Sequence, residues 1–371
     1  MTWQQTPFAD CVKDITSGNR KFKTSEYLES GIFPIIDQGN NLIGGYTNFT
    51  GVVNRKKDVV IFGDHTKLIK YIDFDFCLGA DGVKVLEPKT SALNTKYLYY
   101  YLKTIQLPNA GYSRHYKFLK ETNIPLPPLE TQKKIADILD TADQLRSKTQ
   151  ELIKKYDELA QAIFIDMFGD PITNPKEWEI KKLSEVTLKI TDGTHQSPKF
   201  KPQGIPFLFV SNIVNNTIQY ETNSFISQED FEIYSKRTPI EIGNILLTTV
   251  GSYGNPAIIN SLRSFAFQRH IAFIKPNHNL INFKYLFAIL KSDLVKTQIE
   301  RDVRGVAQKT LNLSDLKDIL IWVPEISFQN KYASILEKID EQKMKMLEVA
   351  NLSEQLFQSL LQRAFNGKLV R

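Results

Sequence analysis

The strongest constraint on the fold is a segment that occurs twice in the sequence. Residues 124–140 read IPLPPLETQKKIADILD and residues 321–337 read IWVPEISFQNKYASILE, with seven identities in seventeen aligned positions. Every aligned pair is separated by 197 residues. A long repeat at a fixed offset indicates that the chain is built from two copies of one structural unit.

The repeat extends well beyond this segment, with an offset that grows along the chain. Trp3 pairs with Trp178 at an offset of 175, and Pro88 pairs with Pro276 at an offset of 188. Growing offsets indicate that the second copy carries loop insertions while the framework is kept, because loops vary more than the elements they connect. A chain of 371 residues is long enough for two such domains, each with its own core.

Each copy begins with a globular segment and continues into a helix. Short apolar runs such as DVVIFG and NILLTTV, separated by glycine-rich turns, predict strands, and TKYLYYYLK and FKYLFAILK predict short helices. Each globule is therefore predicted to be a compact α/β domain. The predicted boundaries are residues 1–123 for the first domain, 124–169 for the first helix, 170–320 for the second domain and 321–371 for the second helix.

The two long helices are predicted to pair through a heptad seam, since apolar residues recur at alternating steps of four and three. The predicted seam positions are Ile138, Ala142, Leu145, Thr149, Leu152, Tyr156, Leu159 and Ile163 in the first helix, and Ile335, Ile339, Gln342, Met346, Val349, Ser353, Leu356 and Leu360 in the second. Polar Thr149, Gln342 and Ser353 interrupt an otherwise apolar stripe.

The chain path predicts how these helices run. The first helix leaves the first domain and enters the second after a short turn, so the second helix has to run back. The predicted fold is therefore α+β, with two similar α/β domains at opposite ends of a long antiparallel two-helix coiled coil and a pseudo-two-fold internal repeat. Pro125, Pro127 and Pro128 are predicted to hold the chain extended where the first helix begins.

Charge and composition narrow the class of partner. The net charge is +6, and the positive excess lies in residues 1–125 and 172–322, which favours a polyanion such as nucleic acid. No stretch of about 18 apolar residues occurs and the amino terminus lacks an apolar signal core, so we expect a cytoplasmic protein without a membrane partner. Cys11 and Cys77 lack metal-ligand spacing and are expected to be reduced, partly buried thiols.

Over essentially its whole length the sequence resembles the specificity (S) subunits of Type I restriction-modification enzymes. The resemblance rests on the duplicated segment, on the helix endings AIFIDMFGDP and LLQRAFNGKL, and on the order globule, helix, globule, helix. It implies that each globule is a target recognition domain for one half of a bipartite, asymmetric sequence in double-stranded DNA. The second copy departs from the usual motif at Trp322, Glu325 and Ser327, which affects only the expected angle of that helix.

The resemblance also implies partners and the absence of catalysis. The helices would set the spacer between the half-sites and dock two modification (methyltransferase) subunits, which restriction subunits then join. The chain itself would be a non-catalytic subunit and would hold no cofactor. S-adenosylmethionine, ATP and Mg would belong to the partner subunits.

Polar and basic loops are the expected sites of base recognition, since Arg pairs with guanine and Asn or Gln with adenine. The candidates in the first domain are Gln38, Asn40, Asn41, His65, Lys67, Arg114, His115 and Lys117. The candidates in the second domain are Thr194, His195, Gln196, Lys199, Ser211, Asn212, Ser252, Tyr253, Gln268, Arg269, His270, Arg301, Arg304, Gln308 and Lys309. Each of these could equally be an ordinary turn residue or a solvated charge.

Two other functions were weighed against this one. The first is a self-contained DNA methyltransferase or nuclease. An adenine methyltransferase would need an Asn/Asp-Pro-Pro-aromatic motif, but Asn174-Pro175 is followed by Lys176, and no Walker-type loop suggests a motor. His65 and His195 lie in no array with metal-ligand spacing, so catalytic and metal sites are both expected to be absent. A coiled-coil adaptor that binds only proteins would explain the helices but leave the basic globules without a role.

Overall fold

The computed structural model describes residues 3–49, 57–79, 82–108, 113–303 and 309–370. The chain forms two compact units, residues 1–152 with 346–371, and residues 153–345. Each unit contains one α/β domain together with part of each of two 40-residue helices, which the structure bounds at Leu129–Phe168 and Ile326–Phe365. The predicted long helices are therefore confirmed.

The first domain contains two four-stranded sheets. Its strands are β1 Gln5–Pro7, β2 Val12–Asp14, β3 Lys21–Phe22, β4 Phe33–Ile36, β5 Gly45–Thr47, β6 Val59–Gly63, β7 Ile69–Ile72, β8 Cys77–Gly79, β9 Val83–Pro88 and β10 Asn123–Pro125, and its helices are α1 Phe8–Cys11, α2 Thr95–Leu102, α3 Tyr116–Leu119 and the start of α4 Leu129–Phe168. One sheet is antiparallel in the order β2-β9-β6-β7, and the other has the order β3-β8-β4-β5. The central strand β6 is buried at every position, because both faces of that sheet are covered.

The second domain repeats the antiparallel four-stranded sheet, whereas its next largest sheet has three strands. Its strands are β11 Ile180–Lys182, β12 Thr187–Asp192, β13 Ile205–Leu208, β14 Ile213–Val214, β15 Thr217–Ile218, β16 Phe225–Ile226, β17 Ile245–Thr248, β18 Pro256–Ile258, β19 Ala266–Phe267, β20 Ile271–Pro276 and β21 Leu320–Trp322. Its helices are α5 Gln228–Ser235, α6 Phe283–Leu290, α7 Asp293–Asp302, α8 Leu313–Asp318 and the start of α9 Ile326–Phe365. The main sheet has the order β12-β20-β17-β18, and these four strands correspond in turn to β2, β9, β6 and β7 of the first domain.

The joint between each domain and its following helix is duplicated to the level of single hydrogen bonds. Gln132 is fully buried and donates to the carbonyl oxygen of Pro127 at 2.8 Å, and the matching Gln329 donates to that of Pro324 at 2.7 Å. The Tyr97 hydroxyl donates to the carbonyl of Pro125 at 2.8 Å. The proline segment thus supplies carbonyl acceptors at the helix start, in addition to holding the chain extended.

Six of the sixteen predicted seam positions are exposed, whereas Ile335 and Val349 are half-buried and Ile335 packs against the core of the second unit. Ile138, Leu145, Leu152 and Leu159 are 37%, 46%, 45% and 45% exposed and do not form the interface. The inward stripe instead runs through Ile135, Leu139, Ala142, Arg146, Thr149, Ile153, Tyr156, Ala160 and Ile163, and at the offset of 197 through Tyr332, Leu336, Ile339, Lys343, Met346, Ala350, Ser353, Phe357 and Leu360. Leu356 is also exposed, and so is Gln342, whereas Thr149 and Ser353 are buried as predicted.

Contacts between the helices fix their relative direction within a unit. In the second unit Asp157 pairs with Lys343 at 2.5 Å, the rings of Phe164 and Tyr332 lie 5.7 Å apart, and Phe168 contacts Phe328 at 5.4 Å. Partners therefore move backwards along α9 as α4 advances, so these segments are antiparallel. In the first unit Arg146 forms an ion pair with Glu354 at 3.1 Å across the same seam.

Candidate nucleic-acid interface

In each domain, several predicted DNA-contacting loops meet at one end of the main sheet. In the second domain the backbone N–H of Thr249 donates to the carbonyl of His270 at 2.9 Å, and that of Leu311 donates to Thr249 at 2.8 Å. In the first domain the N–H of Asp64 donates to Gly82 at 2.6 Å, and that of His115 donates to Asp64 at 2.8 Å. The same backbone network thus gathers loops that are far apart in sequence.

A buried lysine organises the loop of residues 37–41 in the first domain. The Lys70 ammonium group donates to the backbone carbonyls of Asp37 at 2.8 Å and Asn41 at 2.5 Å, and lies 3.6 Å from the Asp37 carboxylate. Burial lowers the pKa of Lys70, and the Asp37 carboxylate opposes this shift. The loop is therefore held by its backbone, which leaves the side chains of Asn40 and Asn41 exposed.

The other candidates of the first domain differ in accessibility. Gln38 is half-buried and accepts a hydrogen bond from the N–H of His65 at 3.2 Å. Lys67 has a positive φ of 60° and donates to the carbonyl of Pro108 at 3.1 Å. His115 is 1% exposed, with its Nδ1 atom 3.0 Å from the Asp64 carbonyl, which favours a structural role. Arg114 and Lys117 are exposed.

Two segments of the second domain meet next to Asp192. The N–H of Arg269 donates to the carbonyl of Thr194 at 3.0 Å, and Gln268 bridges to the same residue. The Nε2 atom of His195 lies 2.7 Å from the carboxylate of Asp192. Gly193 fits here because a Cβ would lie 2.1 Å from the carbonyl oxygen of Phe267. The loop after β12 and the loop before β20 therefore form one surface.

Positive charge is concentrated on this surface. Burial, the Arg269 guanidinium and the His195 ring together lower the pKa of His270. Arg237, which the sequence analysis did not select, donates to the carboxylate of Asp192 from the opposite side to His195. Its contact with Asp192 spans 45 residues, so no local motif could have indicated it.

The remaining candidates of the second domain lie in several environments. Asn212 is buried and its amide group bonds the backbone of Phe209, Gln219 and Glu221, as expected of a turn-forming residue. Tyr253 packs against the core. The exposed candidates are Gln196, Lys199, Ser211, Ser252, Arg301 and Lys309. Arg304 and Gln308 lie outside the described residues.

The described part of the chain has neither a metal-ligating cluster nor a membrane-spanning helix. It contains no cluster of three or more His, Cys, Asp or Glu residues that could hold a metal ion. Within the same residues, no helix has the length and apolarity needed to span a membrane. Cys11 and Cys77 are both free thiols, and at 4% and 1% exposure they are more deeply buried than predicted.

Comparison with known proteins decides the family. The model of the Type I restriction modification DNA specificity domain matches residues 3–155 and again residues 175–354. The chain belongs to this family. Its members are specificity subunits, the non-catalytic components of Type I restriction-modification complexes, and the two matched segments coincide with the internal repeat.

Individual specificity subunits resemble the chain at low identity. The specificity subunit of the Type I restriction enzyme EcoBI from Escherichia coli is 25% identical over 68% of this chain and 59% of its own length. That of MjaVIII from Methanocaldococcus jannaschii is 24% identical over 91% of this chain and 86% of its own length. The chain thus spans under two thirds of the first relative and most of the second.

Solved structures support the same fold. The crystal structure of a Type I restriction-modification S subunit from M. genitalium has a TM-score of 0.61 and 16% identity, covering 98% of this chain and 96% of the other. A structure described as the basis of complex assembly and conformational transition of the type I R-M system has a TM-score of 0.52 and 18% identity, covering 100% of this chain and 96% of the other. At these identities the likeness shows that the specificity-subunit fold is shared.

Proposed function

We propose that the chain reads a bipartite, asymmetric sequence in double-stranded DNA, with each α/β domain recognising one half. The observation that carries this proposal is that both domains use the same sheet order and the same backbone network to gather loops whose sequences differ. A shared scaffold gives both domains one way of meeting a groove, and different loop side chains give each domain its own base preference.

The long helices are proposed to set the spacer between the half-sites and to dock two modification subunits. In the first unit Ile138, Leu145 and Leu152 flank the inner seam of α4 and remain exposed, as do Leu347, Leu352 and Leu356 on α9. Apolar residues repeated along an exposed helix face are typical of a protein–protein interface. Restriction subunits would then join this core, and the proposed DNA substrate places the complex in the cytoplasm.

The experiment is a sequence selection on the complex with its modification subunits, using a library with both half-sites and the spacer randomised. The test variant replaces Asn40 and Asn41 by Ala, because these side chains are exposed while Lys70 holds their backbone. We expect preference to fall in one half of the selected sequence, by about 1–3 kcal/mol for each lost base contact, with the other half unchanged. A change in both halves would contradict independent recognition.

A salt series separates this function from a protein-only adaptor. Phosphate contacts release counterions, so the logarithm of the association constant for DNA should fall linearly with the logarithm of salt concentration. Absence of DNA binding at low salt by the assembled complex would contradict the proposal.

A further inference from the structure

Asp192 holds two side chains, those of Arg237 and His195, at the end of the main sheet where the loops of the second domain meet. One carboxylate oxygen, Oδ1, accepts a hydrogen bond from Nη2 of Arg237, and the other, Oδ2, accepts one from Nε2 of His195 at 2.7 Å. The Asp192 side chain is only 9% exposed, whereas those of Arg237 and His195 are 51% and 55% exposed. The buried carboxylate therefore fixes two groups that face solvent.

The orientation of Arg237 is fixed by more than one bond. Its Nε atom donates to the backbone carbonyl of Asp192 at 3.1 Å, beside the bond from Nη2 to Oδ1. Two bonds along one side of a planar guanidinium group set both its position and its plane. Among the described residues Nη1 has no hydrogen-bond partner, so the outer edge formed by Nη1 and the second Nη2 hydrogen can contact a ligand.

The backbone of Arg237 is held as well. Its carbonyl accepts a hydrogen bond from the Lys189 side chain of β12 at 2.6 Å, and its N–H donates to Tyr234 at the end of α5 at 3.1 Å. The next residue, Thr238, is buried. A surface arginine that only supplied charge would not require this many fixed contacts, since long cationic side chains ordinarily remain mobile in water.

We propose that Arg237, held in place by Asp192, reads a guanine in the half-site of the second domain. This inference rests on the proposed function and names one base contact within it. The free outer edge presents two parallel N–H donors, which match the O6 and N7 acceptors of guanine in the major groove. Asp192 acts as a positioning residue, because its contacts are to Arg237 and His195 and its carboxylate is buried.

Electrostatics favour a base over a phosphate as the partner of Arg237. The adjacent Asp192 carboxylate offsets the positive charge that attracts a phosphate, and so reduces sequence-independent binding. The same carboxylate fixes the direction of the Arg237 donors. A base contact depends on that direction, whereas a phosphate contact tolerates other directions. The buried carboxylate thus lowers the sequence-independent affinity for DNA and increases the discrimination between bases.

The test uses the assembled complex and the randomised-library selection described above. Three variants are compared with wild type: Arg237→Lys, which keeps the charge and loses the paired donors, Asp192→Asn, which keeps the shape and loses the carboxylate, and the control Arg263→Lys. Arg263 is an exposed arginine in the same domain that follows the far end of β18, away from the gathered loops. Thermal unfolding confirms that each variant is folded.

We expect Arg237→Lys to lower the preference for G·C at one position of the second half-site by about tenfold to a hundredfold, as for loss of one bidentate base contact. Asp192→Asn should weaken discrimination at the same position while binding to unrelated DNA is unchanged or tighter, because a negative charge is removed. A purely structural role of Asp192 would weaken binding to every sequence together. The control should select the wild-type sequence.

Three results would overturn the inference while leaving the proposed function intact. In the first, Arg237→Lys selects the wild-type target. In the second, Arg237→Lys loses affinity equally for all sequences and its salt dependence becomes shallower. In the third, Arg237→Lys changes only the first half-site. A wild-type complex that selects no bipartite sequence would overturn both proposals. Because Arg237→Lys alters a half-exposed side chain, it remains informative if Asp192→Asn fails to fold.

Discussion

The side-chain carbonyl oxygen of Gln132 accepts a hydrogen bond from the backbone N–H of Asn94 at 2.9 Å. The amide nitrogen of Gln132 donates to the carbonyls of Ala92 and Pro127, both at 2.8 Å. One fully buried amide thus ties the start of α4 to the segment that caps α2. In the second copy Gln329 bonds Asn282, Leu280 and Pro324 in the same way.

We expect Gln132→Leu to destabilise the first unit by about 2–3 kcal/mol. The variant keeps a side chain of similar size but leaves the Asn94 N–H and the carbonyls of Ala92 and Pro127 without their partner. A buried unsatisfied group costs about 1–3 kcal/mol. Only the bond to Pro127 is fully buried, so water can partly compensate the other two groups. Chemical denaturation measures the loss, and the matched Gln329→Leu should cost a similar amount in the second unit. The control is Gln150→Leu on the exposed surface of α4, where we expect a change within about 0.5 kcal/mol. Equal effects of Gln132→Leu and Gln150→Leu would contradict this role.

Lys70 offers a test of how the 37–41 loop is held. Replacing Lys70 by Met removes the donors to Asp37 and Asn41 and leaves the Asp37 carboxylate without its buried partner. We expect a loss of about 3 kcal/mol in stability, at the lower end of the range for breaking a buried ion pair, because the Asp37 side chain is still 24% exposed. The first half-site should lose base preference while the second keeps it, as read by the library selection.

Lys133→Met is the matched control for that experiment. Lys133 is exposed on the surface of α4, where it pairs with Glu130 at 2.8 Å, and surface pairs contribute about 0–1 kcal/mol. It should alter neither half-site. If Lys70→Met retained the wild-type preference in the first half-site, the loop would not depend on Lys70 for its recognition geometry.

The helix seam shows what sequence reasoning could and could not provide. Two heptad stripes share Ala142, Thr149 and Tyr156, and they differ only in which neighbours complete them. The sequence favours the stripe through Leu145 and Leu152 because leucine is more apolar than the Arg146 that the structure places inward. Arg146 can occupy the seam since it forms ion pairs with Asp143 and Glu354, and its guanidinium lies 4.5 Å from the Phe357 ring.

The recognition surface could also be predicted only in part, because composition marks loops but not contacts between distant residues. Loops rich in polar residues mark the gathered end of each sheet, so His195, Arg269 and His270 could be selected from composition. Arg237 could not, because it follows α5 and meets Asp192 only in the folded domain. Conversely, Asn212 has the residue type of a base reader, but its amide is used within the domain.

The exposed leucines of α4 lead to a prediction about assembly. We expect the double variant Leu145→Gln and Leu152→Gln to fold as wild type but to bind the modification subunits about 30-fold more weakly. Leu145 and Leu152 are 46% and 45% exposed, so covering the rest of each side chain contributes about 1 kcal/mol. The two together give about 30-fold, since 1.4 kcal/mol corresponds to about a tenfold change. Co-purification at defined concentrations measures the effect.

Lys154→Gln is the control for the leucine variant. Lys154 lies two residues beyond Leu152, about 200° around the helix, and its side chain is 79% exposed. This substitution should leave assembly unchanged. Unaltered assembly of the double leucine variant would show that the modification subunits bind elsewhere.

The final prediction concerns the spacer between the half-sites. Deleting residues 147–153 and the matched residues 344–350 removes one heptad from each helix, so the inward stripes stay in phase. Each helix shortens by roughly 10 Å at 1.5 Å per residue, which corresponds to about 3 base pairs at 3.4 Å each. If the helices set the spacer, the double deletion should select unchanged half-sites with a spacer about 3 base pairs shorter.

The helical twist of DNA makes this outcome specific. Losing about 3 base pairs turns one half-site by roughly 100° about the DNA axis, since one turn takes about 10.5 base pairs. A complex that cannot follow this rotation should lose tight binding to every spacer, whereas one with flexible domains should recover it at the shorter spacer. Deleting residues 147–153 alone leaves helices of unequal length and should destabilise their pairing. A folded double deletion that still selected the original spacer at full affinity would show that the helices do not measure the gap.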